Sequence, residues 1–269
     1  MRNMLDEFLL TSRAETDRVA KQLRESGWAR FDSIDLSPSP QERTELALLA
    51  QYAETLPVDR FGGGGRRRSY AQGVIDVHTQ NIAWDSGYVA EDGSVEIKYQ
   101  QDVDFQPEYG GVVRRFLRTS DRVLDMSLVN KLIWHDLWLT SLAAQHDTLI
   151  CGLHVVCMTA TVGSPSRITP DCLHRDGQPF TAVHLIDRKN ACGGINYIAP
   201  PIYAGAQVSD VPRELLHSFT LNEPLESYVI DDEAVSHHVT SVSCEQSATH
   251  GVRTVMLIDF THVSPGGRA

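Results

Sequence analysis

The C-terminal half of the chain carries the pattern that most limits its fold. Residues 148–161, 180–186, 195–198, 226–229, 235–242 and 253–260 are short apolar or β-branched runs separated by Gly, Pro, Asp and Asn. Many short strands without intervening helices point to an antiparallel barrel or a double-sheet jelly roll. The N-terminal part reads differently. Residues 5–26 put Leu5, Phe8, Leu9, Val19 and Leu23 on an amphipathic helix ending before Gly27, and residues 28–34 follow as a short strand. Beyond Ser37-Pro-Ser-Pro40, residues 41–56 predict a second helix. Residues 124–144, with Leu128, Leu132, Trp134, Leu137 and Leu142, predict a third, well-buried one. These helices are expected to pack on the outside of a sheet.

Within the strand-rich half, one stretch carries chemistry. It runs Leu173-His-Arg-Asp-Gly-Gln-Pro-Phe-Thr-Ala-Val-His-Leu-Ile186. Side chains alternate along a strand, so His174 and Asp176 face the same way and can grip one ion from one side. A third ligand has to come from elsewhere, and residues 231–240 offer the adjacent pair His237 and His238. Two imidazoles and one carboxylate on one face of a metal, with the other positions open, suit non-heme Fe(II) and oxygen chemistry. Cys172 is a weaker candidate, since a soft thiolate favours zinc or copper. Arg253 opens another apolar strand, where a guanidinium needs a carboxylate partner, either Asp259 or a carboxylate brought in by a ligand.

Charge and composition narrow the partners. A formal net charge of −11 argues against general affinity for nucleic acid or an anionic membrane and favours a small-molecule substrate. No apolar run approaches the roughly 20 residues of a membrane span, and the first residues lack the order of a signal peptide, so a cytoplasmic location is expected. Five cysteines without a Cys-x-x-Cys pair are expected to be reduced thiols. The glycine run at residues 62–65 followed by Arg66-Arg-Arg68 lacks the Lys and Ser/Thr of a phosphate loop. It reads as a turn with solvated arginines, or as a source of one arginine for a substrate carboxylate.

Taken together, several pieces resemble a known family. They are His174-Arg-Asp-Gly, Val183-His-Leu-Ile-Asp-Arg188-Lys-Asn190, Gly193-Gly194, the segment from Thr220 through Asp231-Asp232, His237-His-Val-Thr240 and Gly251-Val-Arg253. In this order and spacing the chain resembles the bacterial Fe(II)/2-oxoglutarate dioxygenases of free amino acids typified by L-isoleucine 4-hydroxylase. Weaker echoes lie at residues 67–70 and 110–116.

The resemblance implies a mainly β fold with flanking α-helices, a cupin-like double-stranded β-helix. It implies a single domain over residues 1–269, with residues 1–60 as a helical flank and 148–262 as the main jelly-roll strands. It assigns Fe(II) to His174, Asp176 and a distal histidine. Matching Val239-Thr240 to the family's distal motif makes that histidine His237, with His238 where glycine is usual and Ser241 where proline is usual. Arg253 takes the position that binds the far carboxylate of 2-oxoglutarate, and O2 is the other cosubstrate.

The expected reaction is hydroxylation of an unactivated C–H bond of a free amino acid or derivative, with release of succinate and CO2. Desaturation, cyclisation or epimerisation begin alike, whereas the carboxylate of Asp176 argues against halogenation. For the substrate head group the candidates are Arg188 and Arg67 for the carboxylate, and Asp171 or Asp187 for the ammonium. Two rivals stand beside this reading. A cupin-like hydrolase or isomerase has no need of Arg253, and a metal-free binding module takes up no iron.

Overall fold

The computed structural model describes residues 13–62, 64–105, 108–167 and 170–263. The part of the first expected helix before residue 13 lies outside these. Among them, α1 spans Arg13–Ser26 and ends at Gly27, whose φ of +74° turns the chain away. A Cβ on Gly27 would lie 2.5 Å from that of Ala234, so glycine also allows this close approach. α2 spans Pro40–Thr55. Its start is a reciprocal cap: Glu42 N–H donates to the Ser39 hydroxyl (3.2 Å) and Ser39 N–H donates to the Glu42 carboxylate (2.6 Å). α3, Ser127–Leu139, has no side-chain cap from Met126. Its first amides are met by α2 instead, with Leu128 N–H donating to Glu45 at 2.8 Å. A carboxylate at a helix N-terminus also suits the helix dipole, so Glu45 fastens the two helices together.

Among the described residues the strands are β1 (Trp28–Phe31), β2 (Arg66–Asp76), β3 (Asn81–Trp84), β4 (Tyr88–Val89), β5 (Val95–Tyr99), β6 (Arg114–Arg118), β7 (Thr148–Thr161), β8 (Phe180–Lys189), β9 (Ala191–Gly193), β10 (Ile195–Ala199), β11 (His217–Thr220), β12 (Ser227–Asp231), β13 (Ser236–Val239), β14 (Val242–Cys244) and β15 (His250–His262). The main sheet runs β1-β12-β8-β15-β7-β2-β6-β5-β4, with β3 on β2. A smaller sheet, β11-β10-β13, and the pair β14-β9 complete a jelly roll. All pairings are antiparallel except β2 with β6. The main sheet therefore reaches back to β1 and β2, earlier than residue 148. The arginines after the glycine run are not a solvated turn: Arg66–Ser69 begin β2 and pair with β7, Arg66 opposite Met158 and Arg68 opposite Val156.

The main sheet has two faces with different tasks. Leu153, Val155 and Cys157 of β7, Ala182 and Ile186 of β8, and Met256, Ile258 and Phe260 of β15 pack with Leu49 and Ala53 of α2 and Leu128, Leu132 and Leu137 of α3. The alternate residues, Val183, Val255, Leu257 and Tyr228 among them, turn into the roll. One irregularity changes this parity. Val255 faces Leu185 while Thr254 faces Asp187, so Ile186 is an extra residue, and the bulge brings Arg188 directly opposite Arg253.

The helix face also holds a buried polar chain. His184 Nε2 meets Asp136 of α3 at 2.8 Å, His184 Nδ1 meets the Ser227 hydroxyl at 2.9 Å, and that hydroxyl donates to the Leu225 carbonyl at 2.8 Å. His135 reaches the same carboxylate at 3.1 Å. His184 is thus turned away from the interior of the roll and ties α3 to β8 and β12. Burial raises the affinity of Asp136 for a proton, but the facing His184 and His135 outweigh it and hold the carboxyl below its usual range. Its contribution to stability is therefore present above the ordinary carboxylate pKa and lost as the pH falls below it. Asp136→Ala, which strands two buried histidines, is expected to cost about 3–5 kcal/mol at pH 7. Urea unfolding should show this loss, shrinking toward pH 3.

Candidate active site

The small sheet and the main sheet enclose a cavity of about 140 Å³. Its centre is built by backbone pairing. His174 N–H donates to the His237 carbonyl and His237 N–H to the His174 carbonyl, both at 2.9 Å. Directly opposed residues of an antiparallel pair share a face, so His174 and His237 both turn inward, their rings 4.3 Å apart. His238 faces the other way, with its Nε2 3.8 Å from Asp171 and its ring stacked on Tyr197. Asp176 completes the group, 3.7 Å from His174 Nε2 and 3.5 Å from His237 Nε2. One donor atom from each of the three lies within 4.8 Å of the other two.

Surrounding groups hold these donors in place. His174 Nδ1 sits 3.0 Å from the Cys172 carbonyl; carrying the proton there leaves Nε2 as a free lone pair. Cys172 thus contributes its backbone rather than its thiol. Burial first, and then His174, push His237 down to about 4, so its ring is neutral at physiological pH and able to bind a cation. The carboxylate of Asp232 accepts from Asp176 N–H and Gly177 N–H, each at 2.7 Å. Burial and the neighbouring Asp176 raise Asp232 to about 6. Gly177, at φ +82°, leaves no room for a Cβ, which would stand 2.6 Å from the Phe105 ring. Gln101 donates to the Asp176 carbonyl at 3.1 Å, which brings the 100–105 segment onto the site.

Arg253 lies at one end of the cavity, 2% exposed, with Nε and one terminal nitrogen lacking any hydrogen-bond partner among the described residues. Burial lowers it to about 10, which still leaves it charged at neutral pH. Gly194 makes space for it: a Cβ there would stand 2.8 Å from Arg253 Cδ. Asp259 is not its partner, because the two lie six residue steps apart along β15, about 20 Å.

Residues 50–259 match the family described as 2OG-Fe dioxygenase. The chain belongs to that family. It is 30% identical over 204 residues to an L-isoleucine-4-hydroxylase of Bacillus thuringiensis, covering 74% of this chain and 76% of the relative. To a 3(1)-hydroxy-L-isoleucine 4-dioxygenase of Pantoea ananatis it is 25% identical, covering 80% and 81%. The crystal structure of IDO from Bacillus thuringiensis superposes with a TM-score of 0.73 at 25% identity, over 93% of this chain and 100% of that one. The Fe(II)/α-ketoglutarate-dependent dioxygenase TqaL, at 14% identity and a TM-score of 0.71, shares the fold over 97% of this chain and 92% of its own.

This dioxygenase therefore uses Fe(II), 2-oxoglutarate and O2, and its residues fit those groups. Three hard or borderline donors converge from one side, as a facial triad requires. The buried guanidinium of Arg253 offers unused donors to a carboxylate, where leaving it alone is costly.

The four residues named as candidates for the substrate head group do not line the cavity. Arg67 lies on the other face of β2 from Arg66 and Arg68 and donates to the Leu56 carbonyl. Asp171 has an 86% exposed side chain beside His238. Arg188 is brought by the bulge to the Arg253 end, where it donates to the Ala191 and Gly193 carbonyls at 2.8 and 2.9 Å. Asp187 is paired with Lys189 at 2.8 Å. The polar groups that do line the cavity include Arg66, Arg68, Tyr99, Arg114, His154 and Asp259. Alternation along 66–68 held the signal for two of them, once the partner strand was known.

Asp259 is raised to about 7, by burial first and then by Asp176. Between its ordinary value and 7 the folded protein binds a proton that the unfolded chain does not, so this group lowers stability as pH rises through that window. Asp259→Asn is expected to stabilise the metal-free protein at pH 8 by on the order of 2 kcal/mol. Urea unfolding should show the gain vanish near pH 4; no gain at pH 8 would contradict a buried carboxylate held above its ordinary range.

Proposed function

We propose that His174, Asp176 and His237 hold the Fe(II), that Arg253 receives the far carboxylate of 2-oxoglutarate, and that the enzyme hydroxylates an unactivated C–H bond of a free amino acid, releasing succinate and CO2. The observation that carries this reading is the pairing of a convergent His-Asp-His set with a buried, partnerless guanidinium in one cavity. A hydrolase using the same metal has no use for that guanidinium. The choice of an amino acid as substrate is supported by the names of the two curated relatives, an L-isoleucine-4-hydroxylase and a 3(1)-hydroxy-L-isoleucine 4-dioxygenase. Five cysteines without a disulfide suit a reducing compartment, in keeping with work in the cytoplasm. Among the described residues no helix is long and apolar enough to cross a membrane.

When bound, the iron with 2-oxoglutarate and O2 supplies the oxidising power for attack on the C–H bond. The chain's own residues set what is attacked. Neutral His237 and the Nε2 of His174 present lone pairs, and Asp176 presents a carboxylate oriented by Asp232. Val156, Val183, Ile230, Val239 and Leu257 give the cavity a dry wall, which keeps water from a reactive centre. Arg253 fixes the cosubstrate by charge at the far end.

Two measurements test the proposal. Anaerobic addition of Fe(II) and 2-oxoglutarate is expected to give a visible charge-transfer band that His237→Ala abolishes and His238→Ala retains. Arg253→Met should weaken 2-oxoglutarate binding by about thirtyfold or more. The reverse pattern for the two histidines would overturn the ligand assignment. Second, succinate release over a panel of amino acids should rise above the substrate-free level for at least one, with a product heavier by one oxygen. A product lighter by two hydrogens would assign desaturation or ring closure instead.

A further inference from the structure

The cavity has a second polar centre, away from Arg253 and beside Asp176, whose charge is felt by both Asp259 and Tyr99. Its hub is His154. Arg68 reaches His154 Nδ1 at 2.7 Å, and since a guanidinium only donates, Nδ1 carries the lone pair. The ring proton is then on Nε2, which faces Asp259 at 3.3 Å. Tyr70 stacks on the imidazole at 4.3 Å and Tyr99 meets it edge-on at 5.0 Å, so the ring is clamped. A cation and a carboxylate are thereby held on one wall, kept apart by the width of a neutral ring.

Neither charge is neutralised by a direct partner. Arg68 and Arg114 meet no carboxylate among the described residues: Arg68 bonds to His154, and Arg114 donates one nitrogen to the Gln101 side chain. Arg66, by contrast, is paired with Asp59 at 2.8 Å. The two guanidiniums gather around the same rings, lying 5.3 and 4.8 Å from the centre of Tyr99 and 4.3 and 5.9 Å from that of Phe116. Among the described residues, Arg114, 2% exposed, has a partnerless Nε, and Thr181, 4% exposed and directly opposite Asp259 across the strands, has a partnerless hydroxyl. Both line the cavity. Asp259 itself depends on Gly152, where a Cβ would stand 2.5 Å from each carboxylate oxygen.

Buried groups of opposite sign, separated so that they cannot quench one another, are complementary to a ligand that carries both charges on adjacent atoms. We propose that Arg68 and Arg114 clamp the α-carboxylate of the substrate and that Asp259 takes its α-ammonium, making this wall the head-group subsite of an α-amino acid with both groups free. The inference rests on the reading of the substrate as a free amino acid. It assigns the head group to β2, β6 and β15 and leaves the apolar wall for the side chain.

The test uses the best amino acid of the succinate panel together with its N-acetyl and carboxamide derivatives, each lacking one charge. A site built around hydrogen-bonded charges rejects an analogue that lacks one, so wild-type enzyme is expected to prefer the free amino acid over either derivative by about a hundredfold or more in kcat/KM. Asp259→Asn should collapse the preference over the N-acetyl derivative to a few-fold while keeping that over the carboxamide. Arg68→Gln should do the reverse. Because each readout is a ratio within one preparation, partial misfolding lowers both rates and leaves the ratio in place. Ratios unchanged in both variants, with a clear amino-acid substrate in the panel, overturn the subsite and leave the amino-acid reading standing. A panel in which no free amino acid raises succinate release overturns that reading and the subsite with it.

Discussion

Two backbone hydrogen bonds between His174 and His237 are the constraint on which the rest of the centre depends. They join a loop-borne segment to β13, and because opposed residues share a face they bring two imidazoles inward with no side-chain contribution. Asp176 follows by alternation. A neighbouring carboxylate, Asp232, grips the two amides at Asp176 and Gly177, so the third donor is set by main chain as well. In the proposed metal site the three donors are therefore positioned by main chain, and little ordering remains to oppose binding.

The main sheet separates structural from chemical polarity. On its helix side, Asp136, His184 and Ser227 satisfy one another in the dry core. On its inner side, Arg253, Arg114 and Thr181 retain unused donors or acceptors, and Asp259 stays ionisable near neutrality. The satisfied network contributes to stability and the unsatisfied groups subtract from it. That contrast, between neighbouring residues of the same strands, marks which face meets ligands.

Much of this was legible in the residues themselves. The run of short strands declared the jelly roll, Ser37-Pro-Ser-Pro40 marked the boundary before α2, and the two-residue period paired His174 with Asp176. What eluded sequence reasoning was parity that only a partner strand supplies. His237 and His238 are adjacent, and motif spacing rather than periodicity favoured the first; the pairing with His174 turns that one inward. Arg67 sits between two arginines that line the cavity, and its face became readable only when β7 was seen to pair with β2. Arg188 shares a face with Arg253 only because Ile186 is a bulge residue, which counting by twos along the sequence does not reveal. The glycine run masked the start of β2, since turn-forming residues gave no hint that a long paired strand follows at once.

Gly152 gives the arrangement a different meaning. Its missing side chain is the space in which the carboxylate of Asp259 rests. The location of that charge is therefore encoded on β7, a strand that contributes no charge of its own at this point. Position and chemistry are written on separate strands and are separately mutable. A lineage of such enzymes can shift where a ligand's charge is met by adding or removing one carbon at 152, while every acid and base in the cavity stays the same.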